Sequence, residues 1–492
     1  MEMQNFAPIM FAGLVVVMII GFPVAFSLAA LGLGCGFFAI QMGWFPAAFM
    51  SNLPISIFSI LSNDLLLAIP FFTFMGTILE KCGLAEDMLD SMGQLFGPVR
   101  GGLGYSVIIV GFILGAITGT VAGQVIAMAL ISLPVMIRYG YNMRYATGVL
   151  AASGTITQLV PPSLVLVVLA DQLGKPVGDM YKGAWGPSLL QIAMFALYTY
   201  GLGLVKPHYI PGVPKEARTL EGWALWSKCL KGIIPSAILI FTVLGSMGGL
   251  PFQSSALATP TEAGAMGVVG ALILAGMHKR LTKELLWEAM HGTMRLTAMV
   301  VFILIGSRVF SQVFQGVDGS KWVEHLLTGL PGGQVGFLIV VNVFVFFLAF
   351  FLDFFEIAFI IVPMLTPVAQ KLGIDLVWFG VLLCVNLQTS FMHPPFGFAL
   401  FYLRGIADTL FKEGRIEKPV KSNDIYMGAI PWVLMQIVLV VIVIFVPETV
   451  TMFLDKEEKV DLDTVVIEMP TEQETPEAEL KLEGAKPSAG EN

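Results

Sequence analysis

The chain has 492 residues, of which 56% are apolar and only 13% are charged. Soluble proteins average roughly 45–50% apolar and about 25% charged residues, so a soluble enzyme, a nucleic-acid-binding protein and a disordered scaffold are excluded. The formal net charge of −8 lies beyond Val450, where 12 acidic residues outnumber 4 basic ones, so the rest of the chain is neutral. The composition therefore predicts an all-α polytopic membrane protein whose main solvent is lipid.

Ten apolar segments are long enough to cross a bilayer once, since a helix needs about 20 apolar residues for a hydrocarbon core of about 30 Å. These segments are residues 6–20, 22–40, 54–80, 145–170, 184–204, 233–250, 262–277, 296–315, 376–403 and 426–447. No basic cluster precedes the first segment, so we expect a retained span there and not a cleaved signal peptide.

Two further segments, residues 103–137 and 335–369, are too long to be single straight spans. Each has 35 residues, which as one helix would extend about 52 Å at 1.5 Å per residue. Each also contains a weak centre, at residues 118–123 in the first and 353–356 in the second. We therefore predict two re-entrant helical hairpins, whose non-helical tips must be enclosed by protein or face water.

Basic residues beside the spans predict which side each loop occupies, because Lys and Arg concentrate on the cytoplasmic side. Loops 205–232 and 404–421 are rich in both, and Arg100 and Arg138 flank the first hairpin. The second hairpin is flanked by charges of mixed sign. Ten crossings, with the first hairpin entering from inside and the second from outside, place both termini on the periplasmic side.

The two halves of the chain align without a gap at an offset of 233 residues. The alignment places the Pro-Pro pair at 161–162 on the pair at 394–395, and the loop charges orient the two copies oppositely. We predict inverted repeats over about 54–204 and 262–447, each with one hairpin and one broken helix. Such a plan is typical of secondary transporters.

Each Pro-Pro pair lies within a predicted span, where it removes backbone donors and frees carbonyl oxygens on the preceding turn. With nearby hydroxyl groups and the first hairpin tip, these oxygens are hard ligands suited to a small cation. The candidate cation ligands are Thr118, Gly119, Thr120, Thr155, Thr157, Val160, Pro162, Ser390, Met392 and Pro395. Proline kinks that only shape helix packing are the structural alternative.

Candidate substrate-binding residues lie beside the same interruptions, where helices restart and their N-termini favour carboxylate groups. Asp353 and Glu356 lie in an apolar segment, where an ionisable group is functional by default. They are expected to bind substrate or the coupling cation, take up protons or shape the second tip; satisfaction by a neighbouring hydroxyl is the structural alternative. His393 would contact substrate or cap freed carbonyl groups, and Gly123 completes the set.

Other features carry structural predictions. Residues 448–492 form an acidic tail after the membrane permease of residues 1–447, and few large apolar residues occur in it, so we expect disorder; a docking role is the alternative. Glu262 follows Thr259 and is expected to close a capping box. The sequence contains no HExxH motif or other catalytic constellation, so we assign no catalytic residues and do not expect an enzyme.

Several phrases resemble the large membrane subunit of TRAP (tripartite ATP-independent periplasmic) transporters over residues 1–447. They are, in order, LLLAIPFFTFMGTILEKCGL, TGTVAG, GTITQLVPPSLVL, ATPTEAGAMGVVGAL and LGIDLVWFGVLLCVNLQTSFMHPPFGFALFYLRGIA. The resemblance implies a sodium-driven, high-affinity importer of the bacterial inner membrane, similar to elevator-type members of the ion transporter superfamily. It implies Na⁺ as the coupling ion, no organic cofactor, and sodium sites within 118–123, 155–162 and 390–395.

The resemblance also implies partners. A periplasmic binding protein would deliver a small organic anion, and a small membrane subunit would be a separate chain. His393 stands where many members have a smaller residue, so dicarboxylates, keto acids, sugar acids and polyols all stay open as substrates. The alternative function is a binding-protein-independent organic anion carrier or a cation/proton antiporter, which Asp353 and Glu356 keep open. A passive channel fits less well, because a repeated midplane site suits occlusion.

Overall fold

The structure is a computed structural model that describes residues 3–455 except 119, 215, 217–221, 254 and 396. Within those residues the chain forms helices and no strand. Helices are expected in lipid, because every backbone N–H and C=O group must find its partner inside the segment. Local breaks end them: Gly21, with φ +90°, closes the first helix, and Pro23 precedes the second.

The first half contains ten α-helices. They are α1 (Phe6–Ile20), α2 (Val24–Gln41), α3 (Leu53–Leu61), α4 (Asp64–Lys81), α5 (Leu84–Leu95), α6 (Gly102–Thr118), α7 (Val121–Arg138), α8 (Met143–Thr155), α9 (Leu164–Leu173) and α10 (Val177–Val205). Short 3₁₀ turns occur at Met3–Asn5, Ala47–Asn52, Ile156–Gln158 and Pro207–Tyr209.

The second half is also helical. Its helices are α11 (Gly222–Ser246), α12 (Pro260–Met277), α13 (Lys283–Gly316), α14 (Gly319–Thr328), α15 (Gly333–Leu348), α16 (Phe354–Glu356), α17 (Val362–Lys371), α18 (Leu376–Met392), α19 (Phe398–Lys412), α20 (Ser422–Phe445) and α21 (Glu448–Thr451). A π-helical turn at Ile357–Ile361 joins α16 to α17, and the Phe359 carbonyl oxygen there accepts a hydrogen bond from the Ser307 hydroxyl of α13.

Among the described residues, eight helices are long and apolar enough to span a membrane, or up to ten if each of two bent pairs counts as one span. The bends are 46° between residues 47–61 and α4, and 117° between α14 and α15. The predicted spans 145–170 and 376–403 are each two helices separated by a Pro-Pro pair, and both pairs are cis.

The first long segment is interrupted between α6 and α7. The Gln124 side-chain amide of α7 donates a hydrogen bond of 2.5 Å to the carbonyl oxygen of Gly111 in α6. Thirteen residues separate them in sequence, which in a continuous helix would mean about 20 Å. The chain therefore reverses direction between α6 and α7.

The second long segment is interrupted between α15 and α16. At its far ends, the Gln334 side-chain amide donates a hydrogen bond of 2.7 Å to the Leu372 carbonyl oxygen. A continuous helix would separate these residues by about 57 Å, so the two ends of the segment meet. The membrane face from which each hairpin enters stays a prediction.

The helix bounds of the two halves agree at the offset of 233 residues. Residues Val121–Arg138 of α7 correspond to Phe354–Lys371, which the structure divides into α16, the π turn and α17. Both are followed by a glycine of positive φ, Gly140 at +78° and Gly373 at +70°. The opposite orientation of the two copies in the bilayer, and any elevator movement, stay predictions.

Small residues allow the halves to approach closely where α8 crosses α20. A Cβ atom built on Gly148 would lie 2.2 Å from the carbonyl oxygen of Gly428, and one on Gly428 would lie 2.2 Å from the carbonyl oxygen of Arg144. Close backbone contact through small residues is the usual way in which helices associate in lipid. The two halves of the chain therefore share a tightly packed interface.

Amphipathic helices α5 and α14 were not predicted as elements, because both are too short and too polar to pass as spans. The apolar side of α5 packs on α6 and α11, and α14 packs on α17.

The capping box predicted for Glu262 is confirmed: Glu262 Oε2 accepts from the Thr259 N–H at 2.8 Å, and Thr259 Oγ1 accepts from the Glu262 N–H at 3.2 Å.

The boundary between permease and tail at Pro447 needs correction. Helix α21 packs on α10 and α18, its Val450 side chain is fully buried, and a Cβ on Gly186 would lie 1.8 Å from the Thr449 carbonyl oxygen. The packed unit thus reaches Leu454, and residues 448–454 contain only one acidic residue, Glu448. Residues 456–492 lie outside the described residues, so the disorder predicted for the tail stays a prediction.

Candidate functional site

A cavity of about 300 Å³ lies where the hairpin tips meet the broken helices. Its first-half wall comes from the start of α7, at Thr120, Val121 and Ala122, and from Gln158, next to the first Pro-Pro pair. Leu164 begins the helix that follows this pair and also lines the cavity. The first hairpin tip and the first broken helix therefore form one side of a single chamber.

The second half forms the opposite wall. The start of α16 contributes Asp353 and Phe354, the end of α18 contributes Phe391, and α19 contributes Phe398 and Tyr402. The long helix α13 completes the lining with residues 296 and 299. The sequence predicts that candidate residues of both halves lie at a common site. The cavity brings together Thr120, a predicted cation ligand of the first half, and Asp353, a predicted substrate-binding residue of the second half.

A buried polar cluster ties the first hairpin to the first broken helix. The Thr157 hydroxyl is fully buried, lies 2.6 Å from Gln124 Oε1 and lies 3.1 Å from the carbonyl oxygen of Gly115 in α6. The Gln124 amide donates to the carbonyl oxygens of Gly111 and Ser153, the latter at 2.7 Å. Oxygen atoms from α6, α7 and the helix break are thus concentrated in one place.

A second cluster repeats this contact in the other half. The Ser390 hydroxyl, which corresponds to Thr157 at the offset of 233, lies 3.2 Å from the carbonyl oxygen of Phe346 in α15. The Asn386 side-chain amide donates to the carbonyl oxygen of Asn342 at 2.8 Å, and Asn342 Oδ1 has no hydrogen-bond partner among the described residues. Each broken helix therefore bonds the first arm of its own hairpin.

The other predicted cation ligands have separate surroundings. Thr155 Oγ1 accepts a hydrogen bond of 3.1 Å from the Gln436 amide of α20, so it links the two halves of the chain. Val160 packs against Ala116 and Ile156. Among the remaining predicted ligands, Pro162 and Met392 are buried, Pro395 is exposed, and Gly119 and the side chain of Thr118 lie outside the described residues.

Asp353 and Glu356 form a capping box at the second tip. Glu356 Oε2 accepts a hydrogen bond of 2.9 Å from the Asp353 N–H, and Asp353 Oδ1 accepts one of 2.7 Å from the Phe354 N–H. Helix starts of this kind are stabilised because the carboxylates satisfy N–H groups that have no partner within the helix. Of the roles left open for this pair, the hydrogen bonds support shaping of the tip, and Asp353 additionally lines the cavity.

His393 and Gly123 lie beside the chamber without belonging to its lining. The His393 ring packs against the rings of Phe346 and Phe350, with centroid distances of 5.3 and 5.1 Å. A Cβ atom built on Gly123 would lie 2.5 Å from Glu80 Oε2 of α4. Glycine at this position thus lets a carboxylate approach the start of α7.

Several polar residues of this region were not predicted from the sequence. They are Glu80, Gln124, Gln158, Asn342 and Asn386, each of which lies in an apolar helix or break. Isolated amide or carboxyl groups in apolar spans are costly and therefore informative. The criterion of an isolated polar group in an apolar span, which identifies Asp353 and Glu356, also identifies these five residues.

Comparison with known proteins agrees with this architecture. The sequence profile of the tripartite ATP-independent periplasmic transporter, DctM component, matches residues 11–449. The C4-dicarboxylate TRAP transporter large permease protein DctM of Rhodobacter capsulatus is 28% identical over 458 residues, which cover 90% of this chain and 97% of that protein. The 2,3-diketo-L-gulonate TRAP transporter large permease protein YiaN of Escherichia coli is 26% identical over 434 residues, with coverages of 88% and 95%.

A solved structure supports the fold. The YdaH transporter of Alcanivorax borkumensis, whose crystal structure was described as having an unusual topology, superimposes with a TM-score of 0.56 over 88% of this chain and 98% of that one, at 14% identity. The profile match spans most of the chain, and the related proteins are permeases and not enzymes. The chain therefore belongs to the TRAP transporter family, in which it is a large, multi-pass membrane permease subunit.

Proposed function

We propose that this permease is the membrane component of a sodium-driven importer for a small organic anion in the bacterial inner membrane. The observation that carries the proposal is the cavity of about 300 Å³, because both hairpin tips and both helix breaks contribute to its lining. Sites of this kind near the midplane are typical of secondary transporters. Relatives named for C4-dicarboxylates, 2,3-diketo-L-gulonate and isethionate support an anionic substrate.

The two polar clusters support Na⁺ as the coupling ion. Carbonyl and hydroxyl oxygens are hard ligands, and Thr157 and Ser390 bring one hydroxyl each beside backbone carbonyl groups of the neighbouring hairpin arm. Ser153 Oγ is buried and has no hydrogen-bond partner among the described residues, so it is a further oxygen available to a cation. Binding of Na⁺ here would fasten each broken helix to its hairpin and complete the chamber.

Delivery by a periplasmic binding protein and assembly with a separate small membrane subunit are part of the proposal. So are two periplasmic termini and an elevator movement in which both hairpins and both broken helices slide against a fixed scaffold. The position of Leu296 and Met299 supports such a movement, since these α13 side chains face the chamber from outside the two hairpin units. A chamber between two bodies changes its exposure when one body slides.

The test is uptake by proteoliposomes that contain the permease and its small subunit. Ligand-loaded binding protein is added outside, and accumulation is measured with an inward Na⁺ gradient, with equal Na⁺ on both sides, and with a proton gradient alone. We expect accumulation only with the Na⁺ gradient and the binding protein. Equal uptake without the binding protein would favour an independent carrier, and uptake driven by protons alone would favour a proton-coupled system.

The alternative of a carrier or cation/proton antiporter depended on Asp353 and Glu356. Both carboxylates accept backbone hydrogen bonds of the second tip, which gives each a structural reason to be present in an apolar segment. This pair therefore gives no support to the alternative function, and the uptake experiment distinguishes the two functions.

A further inference from the structure

The charged side chain of the chamber lining is anionic. Asp353 lies at the second hairpin tip, and no Lys, Arg or His occurs among the described residues that line the chamber. A carboxylate in an apolar segment is costly unless a cation or hydrogen-bond donors offset its lost hydration. Asp353 Oδ1 accepts a hydrogen bond of 2.7 Å from the Phe354 N–H. A carboxylate has about four acceptor positions, so Asp353 retains the capacity to bind a donor in the chamber.

A second acceptor belongs to the first-half wall. Gln158 lines the chamber, is only 4% exposed, and its Oε1 atom has no hydrogen-bond partner among the described residues. A buried carbonyl oxygen without a donor costs free energy, which a ligand with N–H groups recovers. The backbone carbonyl oxygen of Gln158 accepts from Ser163 Oγ at 2.6 Å, so the helix break itself fixes the position of this residue.

Aromatic rings line the same wall as Asp353. The rings of Phe391 and Phe398 lie 5.5 Å apart, and those of Phe354 and Phe355 lie 5.2 Å apart. All four residues line the chamber. The face of an aromatic ring attracts a cation within about 6 Å of its centre, and the ring also offers a large apolar surface. The wall therefore suits a positively charged group on a short carbon chain.

From these observations we infer that the chamber binds an ammonium group, and that the substrate is a small organic acid that also carries such a group. The ammonium group donates hydrogen bonds to the Asp353 carboxylate and to Gln158 Oε1, and the aromatic rings contact the carbon chain. The inference rests on the proposed uptake function, which supplies the carboxylate, and narrows the substrate class at the other end of the molecule. A chamber of about 300 Å³ has room for about ten water molecules at about 30 Å³ each, which limits the substrate to a few carbon atoms.

The experiment compares three four-carbon probes that differ in their end groups. They are 4-aminobutanoate, which has both charges, butanoate, which lacks the ammonium group, and butylammonium, which lacks the carboxylate. Binding to the full-length permease in nanodiscs is measured by calorimetry at saturating NaCl, and nanodiscs without protein correct for partition into lipid. We expect 4-aminobutanoate to bind at least tenfold more tightly than butanoate, because hydrogen bonds to charged groups are strong. Butylammonium should also bind more tightly than butanoate.

Two results overturn the inference. The first is that butanoate binds as tightly as either ammonium probe. The second is that no probe binds at millimolar concentration. A Na⁺ ion held by the same two oxygen atoms would give the first result, because saturating NaCl would then exclude the ammonium group from the chamber.

The variant Asp353→Asn tests the charge at the second tip. Asparagine retains an oxygen that can cap α16, and the substitution removes the negative charge, so affinity for 4-aminobutanoate should fall at least tenfold while affinity for butanoate does not fall. Asp375→Asn is the matched control. Asp375 is the N-cap residue of α18, its carboxylate accepts a hydrogen bond of 2.7 Å from the Trp378 N–H, and it is not part of the chamber lining. All three affinities should be unchanged in this control.

The variant Gln158→Leu tests the unpartnered oxygen. Affinity for 4-aminobutanoate should fall about tenfold, whereas Gln312→Leu, which removes an amide outside the chamber that bonds the Phe49 carbonyl oxygen, should leave affinity unchanged. Thermal unfolding and size-exclusion profiles show that each variant is folded. A wild-type ratio of 4-aminobutanoate to butanoate affinity in one folded lining variant rejects that residue as a ligand, and a wild-type ratio in both rejects the ammonium site.

Binding at equilibrium separates this inference from the proposed function. The calorimetry needs no ion gradient and no binding protein, so a failure of sodium-driven uptake leaves the ratio of the affinities measurable. Conversely, uptake that succeeds while butanoate binds as tightly as 4-aminobutanoate would retain the transport function and reject the ammonium site.

Discussion

Replacing Thr157 with valine should raise the Na⁺ concentration at which transport is half-maximal. The substitution keeps the shape of the side chain and replaces the hydroxyl group with a methyl group. That oxygen lies 2.6 Å from Gln124 Oε1 and 3.1 Å from the Gly115 carbonyl oxygen, in a fully buried position. The loss would remove one ligand of the proposed cation site and one link between α6 and the helix break.

The size of the effect follows from these contacts. Loss of one partner from a buried polar cluster costs about 1–3 kcal/mol, and each 1.4 kcal/mol is a tenfold change in an equilibrium constant. We expect the half-saturating Na⁺ concentration to rise about tenfold for Thr157→Val. The Ser390 hydroxyl makes longer contacts of 3.2 and 3.4 Å, so Ser390→Ala should raise it less, by about threefold.

The assay is initial uptake rate as a function of external Na⁺ in proteoliposomes. Thr147→Val is a matched control on α8, the helix that precedes Thr157, because the Thr147 hydroxyl is equally buried and bonds the Met143 carbonyl oxygen within α8. Thr389→Val is the control for Ser390, since its hydroxyl bonds the Val385 carbonyl oxygen within α18. Both controls should retain the wild-type sodium dependence.

Sodium curves that coincide with wild type for both Thr157→Val and Ser390→Ala, in folded protein, would refute the reasoning. A shift of equal size in the Thr147 control would also refute it, because the effect would then follow from the loss of any buried hydroxyl in or beside α8.

Three further predictions concern stability and the end of the chain. Gly148→Ala should lower the free energy of unfolding by about 1–3 kcal/mol, because the new Cβ would lie 2.2 Å from a backbone oxygen of α20. The measurement is thermal unfolding. The control is Gly201→Ala, whose Cβ would have no atom within 4 Å and which should leave stability unchanged. Glu356→Ala should cost about 1 kcal/mol at the second tip, seen as faster amide hydrogen exchange over residues 349–356, and unchanged exchange there would contradict the capping role. Truncation after Leu454 should leave uptake intact, whereas truncation after Pro447 removes the buried Val450 side chain and should reduce the yield of folded protein; equal yields would reject the corrected boundary.

The elements that sequence reasoning predicted are those set by local chemistry and by the thickness of the bilayer. A run of 35 apolar residues is too long for one span, and a Pro-Pro pair interrupts a helix wherever it occurs. The helix breaks in both halves could therefore be predicted from the sequence. Helices α5 and α14 were not predicted because both are too short and too polar to pass as spans, and because their apolar sides are covered by helices distant in sequence, among them α11 and α17. The Thr157–Gln124 contact was missed for the same reason, since 33 residues separate the partners.

Two acidic residues, Glu262 and Glu356, each lie three positions after an N-cap residue, in sequence surroundings of different hydrophobicity. Glu262 was expected to cap its helix through Thr259, and Glu356 was expected to have a functional role because its surroundings are apolar. The structure gives both the same capping-box geometry. Spacing to the N-cap residue was therefore the better guide to hydrogen bonding than the hydrophobicity of the flanking residues.

The chamber has walls from the first half, the second half and α13, so no part of the chain contains it alone. A molecule that fills it touches all three parts at once and is released if any one of them withdraws. By linkage, a cargo present at 100 times its dissociation constant would add about 2.7 kcal/mol to the stability of the assembled fold. The permease should accordingly resist thermal unfolding and proteolysis most when substrate is bound and least when the chamber is empty.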